Sequence, residues 1–368
     1  MRQPPSAAGS SSVSNGPDQV LQDLELAARN HALPLEALRY PVTPVGLHYV
    51  LTHYDIPAVD LGRWRLRVRG GVRELALSLD DVRSLPSARV LVTMECAGNG
   101  RALLAPRTQG QPWVQEAVGT AEWGGTPLGG VLEQAGIRAG AREVVFTGLD
   151  RGVEADVEQN FERSLSREDA LREEVLLAYE MNGEPLPPQH GFPLRLVVPG
   201  WYGMASVKWL DRITMVDRRF DGYQQRTAYR LKQLESDEGE PLSRMLPRAL
   251  MAPPGIPEGL SRVRFGPLAP CRIEGRAWSG HGPIAWVRVS TDGGATWSDA
   301  ELESPTSAWS WVAWSYLWEP EAEGQYELAC RAGDAEGNEQ PLEGSWNLGG
   351  YANNAVQQVT FIVGPPGR

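Results

Sequence analysis

The apolar pattern of this chain changes near residue 260, and that change limits the folds it can adopt. From about residue 260 onward, short segments alternate apolar and polar residues and are separated by turns such as TDGGATW. Such alternation at short intervals is typical of an antiparallel β-sandwich. Before about residue 235, apolar runs instead alternate with helical or turn-rich segments, which indicates a mixed α/β unit. The sequence therefore predicts an α+β chain that ends in an all-β, Ig-like sandwich.

Composition places the boundaries between these parts. The chain starts with MRQPPSAAGSSSVSNGPDQ, which is small, polar and Pro-rich, so we expect residues 1–39 to form a disordered or poorly structured tail. Residues 236–255 are first acidic and then Pro-rich, which is typical of a linker. We therefore predict a mixed α/β domain over residues 40–245 and the sandwich over residues 246–368. A length of 368 residues agrees with more than one core.

Charge and hydropathy exclude two classes of partner. The formal net charge is −11 and no dense basic run is present, so nucleic acid is not an expected partner. No stretch of ~18 apolar residues exists to span a membrane. The N-terminal segment has neither an apolar core behind a basic end nor a twin-arginine pair, so we expect a cytoplasmic location, with the periplasm left open.

The segment VTMECAGNGR, residues 92–101, places one of three cysteines where an apolar run meets a glycine-rich turn. The residues before Cys96 are branched and apolar and predict a buried strand. Gly98 and Gly100 permit unusual backbone conformations that leave N–H groups free, and Arg101 adds a fixed cation. Two interpretations stay open from these residues alone. Cys96 is either a thiolate that binds a metal or attacks an electrophile, or a small buried apolar side chain.

A set of ionisable residues lies on loops or at the ends of apolar runs in the first domain. The set contains His53, Asp150, His190, Arg195 and Lys208. Each of them alone is compatible with an exposed or paired structural residue. Together, however, imidazole, guanidinium and ammonium groups on glycine-flanked loops suit an anionic, phosphate-bearing ligand. Neither of the usual glycine-rich phosphate loops is present, so an ordinary nucleotide site is not expected.

Five segments carry a resemblance to a known family. They are CAGNGR, AEWGGTPLGGVLEQAG, FTGLD, VLLAYEMNGEPLPPQHGFPLRLVVPGWYGMASVKWL and SWNLGGYANNA. Through them the chain, from about residue 45 to 363, resembles the sulfite oxidase family of molybdopterin enzymes, in the bacterial form without a haem domain. The resemblance implies a molybdopterin-binding domain followed by an Ig-like dimerisation domain. It also implies molybdenum and molybdopterin as cofactors, and a homodimer.

The resemblance also implies roles for individual residues. Cys96 corresponds to the cysteine that binds molybdenum, and a soft thiolate suits that metal. The residues that correspond to contacts with the pterin and its phosphate are His53, Asp150, His190, Arg195 and Lys208. Tyr229 corresponds to an active-site tyrosine that hydrogen-bonds near the oxo group. Arg101 corresponds to an anion-binding arginine, and Trp113 to a tryptophan that lines the substrate pocket.

The chain departs from the animal and plant members of that family at the substrate end. Those members have arginines at the positions of Leu51 and Gly349, and two arginines where this chain has Gly100 and Arg101. Two arginines that would surround a small dianion are therefore missing. Because charge-assisted contacts contribute roughly 1.5–3 kcal/mol each, their loss would weaken the binding of sulfite strongly. Candidate replacements elsewhere in the chain are Arg63, Arg107 and Arg226.

The function implied by the resemblance is the oxidation of sulfite to sulfate by oxo transfer at molybdenum. No Cys-x-x-Cys-His or His-Pro-Gly-Gly haem segment is present, so we expect the electrons to pass to a separate acceptor. The missing arginines favour a second hypothesis, which keeps the cofactor but assigns nitrate, a sulfoxide or an organic sulfite analogue as substrate. A third hypothesis, a non-catalytic interaction protein built on the sandwich, is opposed by the residue set from His53 to Tyr229.

The two remaining cysteines fall in the predicted sandwich. Cys271 and Cys330 occupy apolar-alternating segments with tryptophans between them, which resembles the paired cysteines of Ig-like domains. Since a reducing compartment keeps such pairs as thiols, we predict that they are unbridged and pack as small apolar groups.

Overall fold

The structure, a computed structural model, describes residues 17–365, and most of its regular elements are strands. The helices are α1 (Pro17–Arg29), α2 (Leu79–Arg83), α3 (Leu128–Ala135) and α4 (Arg167–Ala170). The first strands are β1 (Leu66–Arg69), β2 (Leu75–Leu77), β3 (Ala88–Glu95), β4 (Val118–Pro127), β5 (Glu143–Glu154), β6 (Val157–Ser166), β7 (Leu176–Met181), β8 (Glu184–Pro185), β9 (Arg195–Val197), β10 (Leu210–Val216), β11 (Arg230–Leu231) and β12 (Glu240–Pro241). The later strands are β13 (Arg248–Ala252), β14 (Ile256–Pro257), β15 (Arg264–Gly266), β16 (Cys271–Trp278), β17 (Ile284–Ser290), β18 (Ser298–Asp299), β19 (Glu301–Leu302), β20 (Val312–Trp318), β21 (Gly324–Asp334) and β22 (Gln357–Val363).

Two sheets form the frame of the first domain. One has the order β2-β1-β10-β5-β6, and the other has the order β3-β4-β7-β8 with β9 also paired to β7. Strand β3 pairs with β4 along its whole length, from Ala88 opposite Gly125 to Glu95 opposite Val118. Its second half, residues 92–95, is fully buried. The end of β3 therefore delivers Cys96 at a fixed position inside the domain.

The second part is the predicted sandwich of two sheets. A four-stranded sheet, β13-β16-β20-β19, accompanies a six-stranded sheet, β14-β15-β22-β21-β17-β18. Inward side chains from both sheets, among them Ile273, Val287, Trp314 and Leu328, belong to one buried apolar cluster. The alternation in the sequence thus arises because every second residue of these strands faces that cluster. The predicted fold class, a mixed domain followed by an Ig-like sandwich, is confirmed.

The N-terminal segment differs from the expected tail. Residues 1–16 lie outside the described part, but residues 17–29 form helix α1 and the chain after it is packed on the first domain. Leu33 is 1% exposed and belongs to the core. Asn30 accepts a hydrogen bond from Thr52 N at 2.7 Å. The prediction of a disordered or poorly structured tail is therefore wrong for residues 17–39, because residues 17–29 are helical and Leu33, Ala37 and Leu38 pack in the core of the first domain.

The expected linker is also built into the fold. Within residues 236–255, Leu242 and Met245 are buried, and all five residues of β13 are buried where that strand pairs with β16. The acidic and proline residues of this segment suggested a linker, but the apolar residues among them are held in the fold by tertiary contacts. The exact boundary between residues 245 and 246 stays a prediction.

The three cysteines all lie among the described residues and are free thiols. Cys330 is fully buried in the sandwich core, and Cys271 is half-buried at its edge. The prediction that they are unbridged is confirmed. Within residues 17–365, none of the helices has the length and apolar character that crossing a membrane requires.

Candidate active site

The loop that follows β3 holds Cys96 in a fixed, buried position. Its backbone N–H donates to Ala117 O at 2.9 Å, and its carbonyl accepts from Asn99 N at 3.0 Å. Gly100 has φ of +89°, and a Cβ there would press against Asn353, so only glycine fits this turn. The thiol is 7% exposed. The strand-to-turn change that was visible in the sequence therefore positions the sulfur at the wall of an internal cavity.

That cavity has about 690 Å³ of empty volume, measured out to its mouth. Of the nine residues singled out from the sequence, the structure brings seven together on its walls: His53, Cys96, Asp150, His190, Arg195, Lys208 and Tyr229. The other two, Arg101 and Trp113, do not line it. Both are buried beside the thiol.

One end of the cavity is cationic. Lys208 Nζ donates to Leu51 O at 2.7 Å and to Gln189 O at 3.0 Å, and Arg195 donates to His190 O and Ser206 O at 3.0 and 3.1 Å. Among residues 20–365, Arg195 has no carboxylate within ion-pair distance. Burial lowers the pKa of Lys208 to about 7 and that of Arg195 to about 10. Arg195 is thus charged at neutral pH and is held by carbonyl groups, and a phosphate beside Lys208 would favour the protonated form of that amine, so this end suits a phosphate.

Two neutral histidines stand beside the cations. Burial lowers the pKa of His190 to about 2 and that of His48 to about 4. Their rings meet edge to face, with centroids 5.3 Å apart. Nε2 of each has no hydrogen-bond partner among the described residues. His48 was not among the residues predicted from the sequence; the available signal was its place five residues before His53, on the same loop.

At the other side, His53 belongs to a polar cluster that the sequence did not reveal. His53 Nε2 lies 3.1 Å from Glu154 Oε1, and Tyr54 donates its hydroxyl to Glu154 Oε2 at 2.8 Å. Gln224 also donates to Glu154. Nearby, burial raises the pKa of Asp150 to about 6, against the lowering effect of Lys208. Glu154 therefore fixes the His53 ring at the cavity wall.

Arg101 and Trp113, which were expected at the substrate end, are buried next to Cys96. Arg101 donates from Nε to Gly349 O at 2.9 Å and from a terminal nitrogen to Gln111 O at 3.1 Å. Trp113 is 4% exposed. Its indole N–H has no hydrogen-bond partner among the described residues.

The three suggested replacement arginines are not brought to the cavity. Arg63 and Arg226 are exposed, and Arg107 pairs with Asp23 at 2.6 Å. None of the three lines the cavity. Arg163, which the sequence analysis did not single out, is instead buried against the ring of Tyr229.

The donor set fits a molybdopterin cofactor. Burial raises the pKa of the Cys96 thiol. The Gly98 backbone, the Arg101 charge and the Trp113 side chain act in the opposite direction and lower that pKa. A bound metal cation would deprotonate the thiol outright. The unpartnered Nε2 atoms of His48 and His190 offer polar contacts to a pterin. Arg195 and Lys208 offer charge to its phosphate.

The domain matches define the class of protein. Residues 53–224 match the model of the oxidoreductase molybdopterin binding domain, and residues 257–363 match that of the Mo-co oxidoreductase dimerisation domain. Fold and site thus define a molybdopterin oxidoreductase, with Mo-molybdopterin as its cofactor. This chain belongs to the sulfite oxidase family of these enzymes.

Individual relatives show how far the likeness extends. The sulfite oxidase of Arabidopsis thaliana is 34% identical over 88% of both chains. The mitochondrial sulfite oxidase of Mus musculus is 36% identical over 88% of this chain, which spans 62% of that protein's length. Nitrate reductase [NADH] 1 of Arabidopsis thaliana is 33% identical, with 92% of this chain and 40% of that protein covered. Among solved structures, the sulfane dehydrogenase SoxCD of Paracoccus pantotrophus matches with a TM-score of 0.77 and 25% identity, over 91% of this chain and 86% of that one.

Proposed function

We propose that this protein oxidises sulfite to sulfate at molybdenum and passes the electrons to a separate acceptor. The observation that carries the proposal is that Cys96 and Tyr229 share one cavity whose surroundings hold buried, unneutralised arginines. A thiol for the metal, a hydroxyl donor and positive charge for an oxyanion are the three groups that this reaction requires from a protein.

The residues at the cationic end bind and orient the cofactor. Lys208 and Arg195 hold the phosphate with charge-assisted hydrogen bonds. His48 and His190 stay neutral near pH 7, since burial lowers both pKa values far below that range. A neutral imidazole presents either an N–H or a lone pair at Nε2, so each ring can serve whichever polar atom of the pterin faces it.

The residues around Tyr229 contact the substrate. A molybdenum centre held by Cys96 would supply the oxo-transfer chemistry. Burial raises the pKa of Tyr229 well above its usual value, so its hydroxyl stays protonated and can donate a hydrogen bond to an oxygen atom. The rings of Phe161, His53 and Tyr351 pack around the Tyr229 ring.

A second substrate class is favoured by one observation. The positions that would carry additional arginines are Leu51 and Gly349, and a Cβ at Gly349 would meet the ring of Tyr351. The Tyr351 ring therefore occupies the space that a side chain at position 349 would need. Because arginines are missing at Leu51 and Gly349, the alternative substrate is nitrate, a sulfoxide, an organic sulfite analogue or a sulfane-sulfur compound.

We also propose a homodimer, which the dimerisation domain supports, and a cytoplasmic location. Three unbridged thiols are the state that a reducing compartment maintains.

A substrate panel with an artificial electron acceptor tests the proposal. The cofactor-loaded protein is mixed with each candidate reductant and ferricyanide, and with nitrate and a sulfoxide under reducing conditions. The proposal expects turnover with sulfite at the highest kcat/KM. Turnover with another compound and none with sulfite would contradict it.

A further inference from the structure

Tyr229 follows an unusual helical turn. Residues Gln224–Ala228 form a single π-helical turn, and Tyr229 comes directly after it. Such turns are rare overall but concentrate at functional sites. Tyr229 lines the cavity, and among the described residues no hydrogen bond holds its hydroxyl. The position of that hydroxyl therefore depends on the packing of the ring and on the turn that carries the residue.

The first residue of this turn is a buried glutamine. Gln224 is 1% exposed. Its Nε2 donates to the Glu154 carboxylate and, at 3.0 Å, to the Tyr54 hydroxyl oxygen. Its Oε1 has no partner within residues 17–365. Hydrogen bonds therefore hold this side chain only through its NH2 group, and Glu154 is the charged acceptor among its partners.

Glu154 has a fixed position at the end of β5. A two-residue turn, Ala155 and Asp156 with φ of +50° and +59°, joins β5 to β6 beside it. Turns with both residues in the left-handed region match the twist of paired strands. Burial acts to raise the pKa of Glu154, but the hydrogen bonds that it accepts lower that pKa overall. The group is therefore a carboxylate at neutral pH.

The contact between Glu154 and Gln224 joins two parts of the cavity wall. Neither residue lines the cavity itself. Glu154 Oε1 lies 3.1 Å from His53 Nε2, and Gln224 begins the turn that ends at Tyr229. The rings of His53 and Tyr229 both line the cavity, with centroids 6.4 Å apart. The carboxylate thus holds the histidine directly and the tyrosine through the glutamine.

We propose that Gln224, held by Glu154, is a positioning residue for the Tyr229 hydroxyl. This inference rests on the proposed function, in which that hydroxyl donates a hydrogen bond to an oxygen atom. A hydrogen bond to a charged acceptor is stronger than one between neutral groups, so the carboxylate fixes the start of the turn and with it the ring that follows. Since a misplacement of about 1 Å can cost roughly a hundredfold in rate, Gln224 controls turnover without touching the substrate.

Amide hydrogen exchange tests the structural part of the inference without any substrate. Exchange is followed by mass spectrometry in the cofactor-loaded protein, on peptides that cover residues 222–230. Gln224→Met keeps the length of the side chain and removes its hydrogen bonds, while the contact between His53 and Glu154 remains. Exchange in this segment should become roughly ten- to a hundredfold faster, the range for one lost hydrogen bond to a charged group. The control Gln325→Met, which removes an exposed amide-to-glutamate hydrogen bond in the sandwich, should leave it unchanged.

A double-mutant cycle tests the functional part. Gln224→Met alone should lower kcat roughly ten- to a hundredfold and leave the molybdenum content unchanged. In the Tyr229→Phe background the same change should lower kcat by less than about twofold, because the hydroxyl that Gln224 positions is already absent. Gln325→Met should leave kcat unchanged in both backgrounds.

Two results would overturn the inference. Unchanged exchange over residues 222–230 in a folded Gln224→Met protein would show that the glutamine does not hold the turn. Losses of kcat that multiply in the double variant would show that Gln224 does not act through Tyr229. Failure of the unchanged protein to oxidise sulfite is a separate result, which overturns the proposed substrate. The cycle is then measured with the compound that the substrate panel identifies.

Glu154→Gln covers the case in which Gln224→Met does not fold. The Glu154 side chain is 26% exposed, and an amide keeps the shape of the carboxylate while it removes the charge that holds Gln224. Exchange over residues 222–230 should again be faster, by about threefold or more. An unchanged exchange rate in this variant would equally contradict the inference.

Discussion

Glu95 and Arg248 form a buried ion pair, with Oε1 and Nε 2.8 Å apart and both side chains at most 2% exposed. It is an ion pair rather than a directed hydrogen bond, because the Nε–H does not point at the carboxylate. Glu95 ends β3 immediately before Cys96, and Arg248 begins β13 of the sandwich. Trp278 Nε1 also donates to Glu95, at 2.9 Å. The sandwich therefore anchors the loop that carries Cys96.

Removing the cation of this pair should destabilise the protein strongly. Arg248→Met leaves the Glu95 carboxylate buried without its counter-charge, which costs about 3–5 kcal/mol of unfolding free energy. Urea denaturation followed by tryptophan fluorescence measures the change. Arg67→Gln, which removes an exposed ion pair, is the control and should cost at most about 1 kcal/mol. An Arg248→Met protein as stable as the control would show that the pair does not hold the loop.

The cysteine loop could be predicted because its signals are local. A branched apolar run followed by glycine-rich turn residues specifies a strand end wherever it occurs, and Cys96 lies at such an end. The sandwich was predictable for the same reason, since alternation reports which face of a strand is buried.

The residues that were missed depend on distant partners. Asn30 contacts Thr52 and Gln111, and neither contact leaves a signal within residues 17–39. Arg163 did leave one, because it occupies an inward position between Phe161 and Leu165. A lone arginine in a strand is nevertheless usually exposed, so only its tertiary surroundings reveal the unneutralised charge.

The Tyr229 hydroxyl should matter for turnover but not for cofactor content. Tyr229→Phe keeps the ring that packs on Tyr351 and removes the protonated hydroxyl donor. Turnover should fall roughly ten- to a thousandfold, the range for one preorganised donor, while the molybdenum content stays unchanged. Steady-state kinetics and metal analysis of the same preparation measure both. If turnover is unaffected, the role given to this hydroxyl is wrong.

His48 should make the cofactor-free protein sensitive to acid. Its pKa is about 4 when folded and about 6.5 when unfolded, so its stabilising contribution is complete above pH 6.5. That contribution is lost as the pH falls towards 4, with a slope of up to about 1.4 kcal/mol per pH unit. Chemical denaturation at pH 4.5, 5.5 and 6.5 measures the slope. The His48→Gln protein should lose less stability over this range than the unchanged protein.

The comparison with a variant is necessary because Asp150 acts in the opposite direction. Burial raises its pKa to about 6, so its contribution is complete below pH 3.8 and is lost as the pH rises through 6. The difference between the two slopes isolates His48. Equal slopes would contradict its burial as a neutral group.

The thiol state tests the structure of the sandwich and the proposed location together. Denatured, freshly isolated protein without cofactor should react with three equivalents of a thiol reagent, because Cys96, Cys271 and Cys330 are free. A single reactive thiol, with a linked peptide pair from β16 and β21 in mass spectrometry, would refute this prediction. It would also make a reducing compartment untenable.

The most direct test of the account is the molybdenum content and turnover of the Cys96→Ser protein beside the unchanged protein. The unchanged protein should contain about one molybdenum atom per chain, since one Cys96 thiolate serves one soft metal centre. Cys271→Ser, which alters a half-buried thiol at the edge of the sandwich, is the matched control and should keep full activity. We expect the Cys96→Ser protein to fold normally and to lose turnover, because an alkoxide is a poor ligand in place of a thiolate. Full turnover by the Cys96→Ser protein would contradict the central claim that this cysteine binds the catalytic metal.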